Sequence, residues 1–424
     1  VSEELRMDNI KSVKGFKDFF GLDAEIFSTI GKVLLDVAIS YGYKRIILPI
    51  VEHTELFARS VGEETDIVEK EMYTFLDKSG RSLTLRPEMT ASSARSYIEN
   101  HFETYPTPFK VSYIGPCFRY ENPQKGRYRE FYQFGVEAFG DDSPLLDSEV
   151  ISLAFAALQK FNLKGLKVKI NSIGCRKCRP NYRKALIEAL TPHYDELCSD
   201  CKRRFATNPM RILDCKKESK ELKDSLPKTI DYLCNECREH FNAVTTYLNS
   251  MGIPFEIDNT LVRGLDYYTR TVFEVISEDL GSQNELLGGG RYDYLIEELG
   301  GRPTPGVGFA LGIERLIEVL KAQNFTVKEK NLIYIVYQKS SIKMAVNKAQ
   351  ILRGAGFIVL VDTKGGNFKN QLERSAKRNA KFSIIIGESE TATGTVQIKN
   401  MATKEQKEVP EEDLIKAIEE WKDA

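Results

Sequence analysis

The stretch from Lys110 to Phe139 constrains this chain most. Lys110 to Tyr120 and Arg129 to Phe139 read as two strands, joined by the polar loop Glu121-Asn-Pro-Gln-Lys-Gly-Arg, in which Pro123 and Gly126 form the turn. Such a long hairpin calls for an antiparallel sheet. Along its second strand Phe131, Gln133, Gly135 and Glu137 share one face, and Tyr132, Phe134, Val136 and Ala138 the other. The second face is apolar and is expected to pack on a helix. The first reads, from this strand alone, as solvated, although Gly135 leaves room for a small ligand across the sheet. The loop gathers Arg119, Lys125, Arg127 and Arg129 with Tyr120 and Tyr128. Planar cations and rings suit phosphate or RNA; the plainer reading is a solubilising hairpin tip.

Around this hairpin the pattern mixes helix and strand. Ala24 to Tyr41 has helical spacing, Arg45 to Pro49 and Leu83 to Leu85 are short strands, and Met89 to Asn100 is a helix. Ser148 to Gln159 is a helix and Leu166 to Ile173 a strand. From Cys175 to about Thr246 the chain turns Cys-, Lys- and Arg-rich and mostly helical, as an inserted module would. Strands resume at Phe255 and at Thr271 to Ile276, followed by a glycine run at Gly288 and a strand running into a helix from Gly306 to Leu316. After Lys328 strand and helix alternate, which indicates a small α/β domain. The expected division is 1–174 with 247–327, then 175–246 inserted, then 328–424. A length of 424 residues fits two or three such bodies.

Hydrophobic and charged fractions of 42% and 29% are those of a globular chain, so disorder is not the default. With a formal net charge of -1, a nucleic acid must be met by local basic patches. No apolar run reaches the length of a membrane span, and the polar start Val1-Ser-Glu-Glu is unlike a signal peptide, so a cytoplasmic location is expected. Val1 is an unusual first residue, and Met7 is a candidate start. Seven of the 8 cysteines lie between Cys175 and Cys237, six of them in three Cys-x2-Cys pairs. Without a secretory signal, a metal site or buried thiols fit better than disulfides.

Three further segments stand out. Arg263-Gly-Leu-Asp-Tyr-Tyr-Thr-Arg presents a cation and hydroxyls beside a turn, and Arg291-Tyr-Asp follows three glycines where a ligand can approach the backbone. Glu314-Arg315 opens a helix and, taken alone, reads as a surface ion pair. There is no P-loop, and His53, His101, His193 and His240 are scattered, which suits structural roles.

Taken together and in order, these segments resemble the class II aminoacyl-tRNA synthetases, and within them the histidyl-tRNA synthetase family, over nearly the whole chain. Pro49 to Glu55 is similar to motif 1, Phe118 to Phe139 to motif 2 and Gly306 to Leu316 to motif 3. Leu83-Thr-Leu-Arg-Pro-Glu-Met-Thr-Ala resembles the amino-acid-binding stretch. Leu261 to Glu274 and Gly289-Gly-Arg-Tyr-Asp resemble the two histidine-specific motifs. The resemblance implies an α+β catalytic domain on an antiparallel sheet with flanking helices, a mostly helical insertion, and a C-terminal α/β anticodon-binding domain. It implies ATP-dependent activation of L-histidine and transfer to tRNA(His), with Mg²⁺ and a homodimer formed through motif 1.

It also implies roles. Arg119 and Arg263 would act on the α-phosphate, Glu121 on adenine, and Arg127 and Arg315 on the remaining phosphates. Glu88, Thr90 and Gln133 would take the α-amino group, Glu137 and Tyr268 would bind the two imidazole nitrogens with Tyr292 close by, and Tyr267 would also belong to the histidine site. Gln124, Arg127 and Arg129 would meet the acceptor stem. In the last domain Lys369, Arg374, Lys377, Arg378 and Lys381 would suit a phosphate backbone, a charged helix face being the plainer reading; the insertion's own basic residues, Arg179, Arg183, Lys202, Arg203 and Arg204, suggest that it clamps tRNA. The chain departs from the family's pattern at Phe16, at Phe19-Phe-Gly and at Gly288, where an alanine is usual.

Two pairings of the cysteines remain open. Cys175 and Cys178 have zinc-site spacing to Cys198 and Cys201. An inserted module has neighbouring ends, however, so Cys175 and Cys178 at entry are expected to meet Cys234 and Cys237 at exit, with zinc or as free thiols. A rival reading keeps the fold and removes the catalysis: a silent synthetase-like regulatory subunit of ATP phosphoribosyltransferase that binds histidine as a signal. Arg263 and the ATP-side arginines argue against it.

Overall fold

A computed structural model describes residues 10–62, 65, 67–124, 126–277, 285–327 and 331–422. Val1, Met7, Lys125 and Lys328 lie outside them. The chain divides into two compact units, Val1–Val327 and Lys328–Ala424.

The first unit is built on an eight-stranded sheet in the order Lys44–Arg45, Phe109–Phe118, Glu130–Phe139, Gly306–Gly312, Glu285–Arg291, Thr269–Ser277, Leu166–Ser172, Phe255–Ile257. All neighbours are antiparallel except the two outermost pairs. The expected strand Arg45–Pro49 shortens to Lys44–Arg45: past Ile46, whose N–H still reaches Ser112 O at 2.8 Å, the carbonyls of Leu48 and Pro49 accept from Arg86 Nη1. Phe134, Val136 and Ala138 do face a helical layer: they share one core with Ile26, Ile30 and Leu34 of helix Leu22–Ser40, Val150 and Ala154 of helix Pro144–Gln159, and Leu316 and Leu320 of helix Ile313–Ala322.

The glycine run is not a loop. Gly288, Gly289 and Gly290 lie within a central strand, opposite Ala310, Phe309 and Gly308. Two small-residue rows result. Gly135, Ala310 and Gly288 align between Tyr113 and Glu274, and Glu137, Gly308 and Gly290 align in the next row but one. On three adjacent strands they make room for side chains that reach over the face opposite the helices.

The insertion is helical, as its composition suggested, and its exit is seamless. Residue 246 falls inside helix Asn235–Ser250, whose Val244 and Leu248 join the main core. Ile212, Leu213 and Cys215 pack in one cluster with Tyr267, Tyr268 and Tyr292. The second unit is a five-stranded sheet ordered Ile358–Val361, Leu332–Tyr337, Phe382–Ile386, Thr395–Asn400, Gln406–Pro410, with helices Ile342–Gly354, Phe368–Lys377 and Leu414–Lys422. There Arg374 is spent on buried Asp362, at 2.6 Å, while Lys369, Lys377 and Arg378 stay exposed. Arg374 is therefore a brace for the unit's own loop rather than part of an open cationic face. Among the described residues no helix is long and apolar enough to cross a membrane.

Candidate active site

The open sheet face is the floor of a cleft of about 370 Å³. Motif-2 residues Arg119, Glu121, Arg127 and Gln133 line it with Glu88 and Thr90, with Arg263, Tyr267 and Tyr268, and with Arg315. Cations far apart in sequence thus meet in one place. Glu137 and Tyr292 stand behind the tyrosine wall, while Gln124 and Arg129 are outside the lining.

Each cation is held by groups that leave part of it for a ligand. Arg119 donates through Nε to Pro87 O at 2.9 Å and sits 5.2 Å from the Phe131 ring. Arg127 pairs with Glu121 at 3.3 Å, and Arg315 donates to Glu285 O at 3.0 Å. Arg263 puts one nitrogen, Nη1, between Glu274 at 2.5 Å and Glu285 at 2.9 Å. Its Nε is buried without a partner, as is that of Arg211. A buried guanidinium nitrogen lacking an acceptor is costly unless an anion arrives. The side chain that Gly288 lacks would collide with the Arg263 guanidinium, so this glycine, itself on the cleft lining, makes room for Arg263. Burial raises Glu274 to about 7, assisted by Glu285 and opposed by Arg263.

The carboxylate niche is buried. Glu88 accepts from the N–H groups of Thr90 at 2.6 Å and Ala91 at 2.8 Å, capping helix Thr90–Glu99. Glu137 is 0% exposed and accepts from Thr90 Oγ1 at 2.7 Å, Tyr113 Oη at 2.8 Å and Tyr292 Oη. Burial drives its pKa up to about 8 despite those three hydroxyls, with Glu88 adding to the rise. The solvated-face reading of this strand is therefore wrong: the next strand and the tyrosines cover it. The room expected at Gly135 is also taken, because a Cβ there would meet the Tyr113 ring at 2.5 Å. The glycine makes space for the hydroxyl that holds Glu137.

Other expectations change for equally local reasons. Glu314 and Arg315 are not a surface pair; Glu314 is 4% exposed, accepts the N–H of Tyr132 at 2.9 Å and is raised to about 7 by burial. Arg291 is no ligand contact. It is fully buried and bonded to Asp147 at 2.9 Å and 2.5 Å, and His240 reaches the same carboxylate at 2.7 Å. Burial alone would raise Asp147, but Arg291 and His240 hold it at about 2. The hairpin tip folds back on the chain. Arg129 stacks 3.9 Å over Tyr120 and donates its N–H to Gly15 O, and Gly126 approaches Arg315. Arg179 turns inward to the carbonyl of Tyr268, so its guanidinium is not on an RNA-facing surface.

The sequence offered no signal for Arg211 and Asp214. They reach the cleft from the insertion, in a stretch without motif or periodicity, and Arg211 donates to Gly264 O at 2.7 Å. Tyr113 could have been found by aligning the hairpin about its loop, which sets it opposite Gly135.

The cysteines resolve into two groups, Cys175, Cys178, Cys234 and Cys237, and Cys198, Cys201, Cys215 and Glu218. The spacing-based pairing of Cys175 and Cys178 with Cys198 and Cys201 does not occur, because the latter two sit on helix Ser199–Ala206 and its cap and face Cys215.

Comparison with known proteins agrees with this geometry. The histidyl-tRNA synthetase family matches residues 15–316 and the anticodon binding domain family residues 325–421. A histidine–tRNA ligase of Desulforamulus reducens is 47% identical, covering 95% of this chain and 97% of that relative. One of Aquifex aeolicus is 48% identical, covering 95% and 98%. The apo S. aureus histidyl-tRNA synthetase superposes with a TM-score of 0.82 at 38% identity, covering 96% of this chain and 99% of the other. A Bacillus halodurans protein described as an ATP phosphoribosyltransferase regulatory subunit/histidyl-tRNA synthetase follows at 0.66 and 25%, covering 90% and 98%. With the family matched from the start of the catalytic sheet to the end of the C-terminal unit, this chain belongs to the histidyl-tRNA synthetases.

Proposed function

We propose that the cleft activates L-histidine with MgATP and passes the histidyl group to the 3′-terminal adenosine of tRNA(His), as a histidine–tRNA ligase. The observation that carries this reading is the meeting of Arg119, Arg263 and Arg315 in one cleft beside Glu88 and Gln133. Fixed positive charge is what an in-line displacement at phosphorus needs, since the attacking group comes from the substrate. Arg119 and Arg263 bind the α-phosphate, and a histidine carboxylate oxygen attacks as pyrophosphate leaves. Arg315 and Arg127 hold the departing phosphates, and Glu121 takes the adenine. Glu274 and Glu285, which line the cleft beside Arg263, would hold the Mg²⁺ that accompanies the phosphates.

Glu88, Thr90 and Gln133 take the α-amino group. Tyr267 and Tyr268 wall the imidazole, with Glu137 and Tyr292 behind them. Such a site rejects side chains that leave its buried polar groups unmatched. The hairpin tip, through Gln124, Arg127 and Arg129, meets the acceptor stem. Exposed Ile47, Val51 and Leu76 near motif 1 support a homodimer. The working location is cytoplasmic.

The Cys175, Cys178, Cys234 and Cys237 set fits zinc. Its sulfurs are 3.7 Å and 4.0 Å apart where measured from Cys175, and Cys178 Sγ accepts the N–H of Cys234 at 3.1 Å. A tetrahedron with zinc–sulfur bonds of about 2.3 Å has edges of about 3.8 Å. Such an ion would tie the module's two ends together. Charging of a tRNA(His) transcript tests the ligase reading: histidine should be esterified in an ATP-dependent reaction. A chain that binds histidine but charges nothing would be the regulatory subunit instead.

A further inference from the structure

Cys198, Cys201, Cys215 and Glu218 form a second cluster whose four ligand atoms all lie within 4.8 Å of one another. Cys198 caps helix Ser199–Ala206, Cys201 sits in its first turn and is 0% exposed, and Cys215 and Glu218 return from the following turn. The Cys198 and Cys215 sulfurs are 3.8 Å apart, far beyond a disulfide bond of about 2.0 Å and equal to the edge of a zinc–thiolate tetrahedron. One oxygen of Glu218 accepts the N–H of Cys198 at 2.9 Å, which orients the carboxylate toward the sulfurs. Lys217 pairs with Asp200 at 3.0 Å, and Lys223 donates to Cys215 O at 3.0 Å, so cations flank the cluster. Inert buried thiols pack against apolar neighbours and have no use for a carboxylate among them.

We propose that Cys198, Cys201, Cys215 and Glu218 bind a second zinc ion, distinct from the Cys175 set, and that it positions Arg211 and Asp214 in the cleft. Three thiolates and one carboxylate, all within 4.8 Å of one another, favour zinc among common divalent ions. The stretch between Cys201 and Cys215 runs through the turn Pro209–Ile212, and Cys215 N–H closes it on Ile212 O at 3.1 Å. The ion therefore fastens both ends of the segment that carries Arg211 to Gly264 O, next to Arg263. Occupancy of the site does not depend on the ligase reading; the positioning role rests on it.

The test is metal analysis of the full chain, purified reduced and without chelator, with zinc X-ray absorption and histidine-dependent pyrophosphate exchange on the same samples. The wild type should hold two zinc ions per chain, with seven sulfurs and one oxygen as protein ligands across both. Cys201→Ser/Cys215→Ser should lose one ion, leave an all-sulfur shell, and exchange about tenfold more slowly. Cys178→Ser/Cys237→Ser should lose the other. A wild type with one all-sulfur zinc, kept by Cys201→Ser/Cys215→Ser, overturns the second site and leaves the first. A wild type without zinc overturns both. Loss of the ion with unchanged exchange overturns the positioning role alone. If the variants do not fold, wild-type stoichiometry and shell still decide the site. A wild type that holds two zinc ions yet never exchanges fails the ligase reading and not the metal.

Discussion

Glu137 is a fully buried carboxyl group held by three hydroxyls, and burial, outweighing those hydroxyls, takes its pKa to about 8. Between the ordinary glutamate value and about 8, the folded chain keeps a proton that the unfolded chain has released. The stability this group contributes is therefore complete at low pH and lost as pH rises through that window. Glu137→Gln keeps the shape and cannot titrate. Its melting temperature should gain on the wild type as pH is raised from about 5 to about 8.5, and its KM for histidine should rise; parallel melting curves would contradict the assignment. The same residue shows what a single strand conceals. Its alternation was legible, but whether the polar face met solvent depended on Tyr113 and Tyr292, which come from other strands or strand ends.

The central strands owe their function to what they lack. Gly135 admits Tyr113, Gly288 admits Arg263, and Gly308 admits Glu137. Gly135→Ala should cost roughly 1–3 kcal/mol by overpacking, read by denaturant unfolding, and should weaken histidine binding by displacing the hydroxyl on Glu137. At the end of the neighbouring strand, Arg291→Met would leave Asp147 buried with only His240. A loss of about 3–5 kcal/mol is expected, as is usual when one partner of a buried ion pair is removed. Strands, helices and the motif order were readable because periodicity and turn residues are local. The glycine run was legible as a place of close approach, and Gly288 does line the cleft, but the pattern does not say that the Arg263 guanidinium fills the room of its missing side chain. Arg211 and Asp214 were invisible because only tertiary packing brings the insertion to the cleft.

At the scale of the molecule, the chain parts into two units at Lys328, where the sequence turns to alternating strand and helix, while the Cys-rich stretch stays within the first unit and ends inside a helix that also serves the main core. The exposed apolar residues beside motif 1 predict a dimer. Light scattering should give twice the chain mass, and Val51→Asp/Leu76→Asp should move it toward one chain. The account as a whole depends on distant arginines acting on one triphosphate. Isotope exchange between pyrophosphate and ATP measures that directly, without tRNA. It should run with histidine, not with the other amino acids, and should fall by about 10²–10³ in Arg263→Ala. Exchange that ignores histidine, or an Arg263→Ala variant as fast as the wild type, would contradict it.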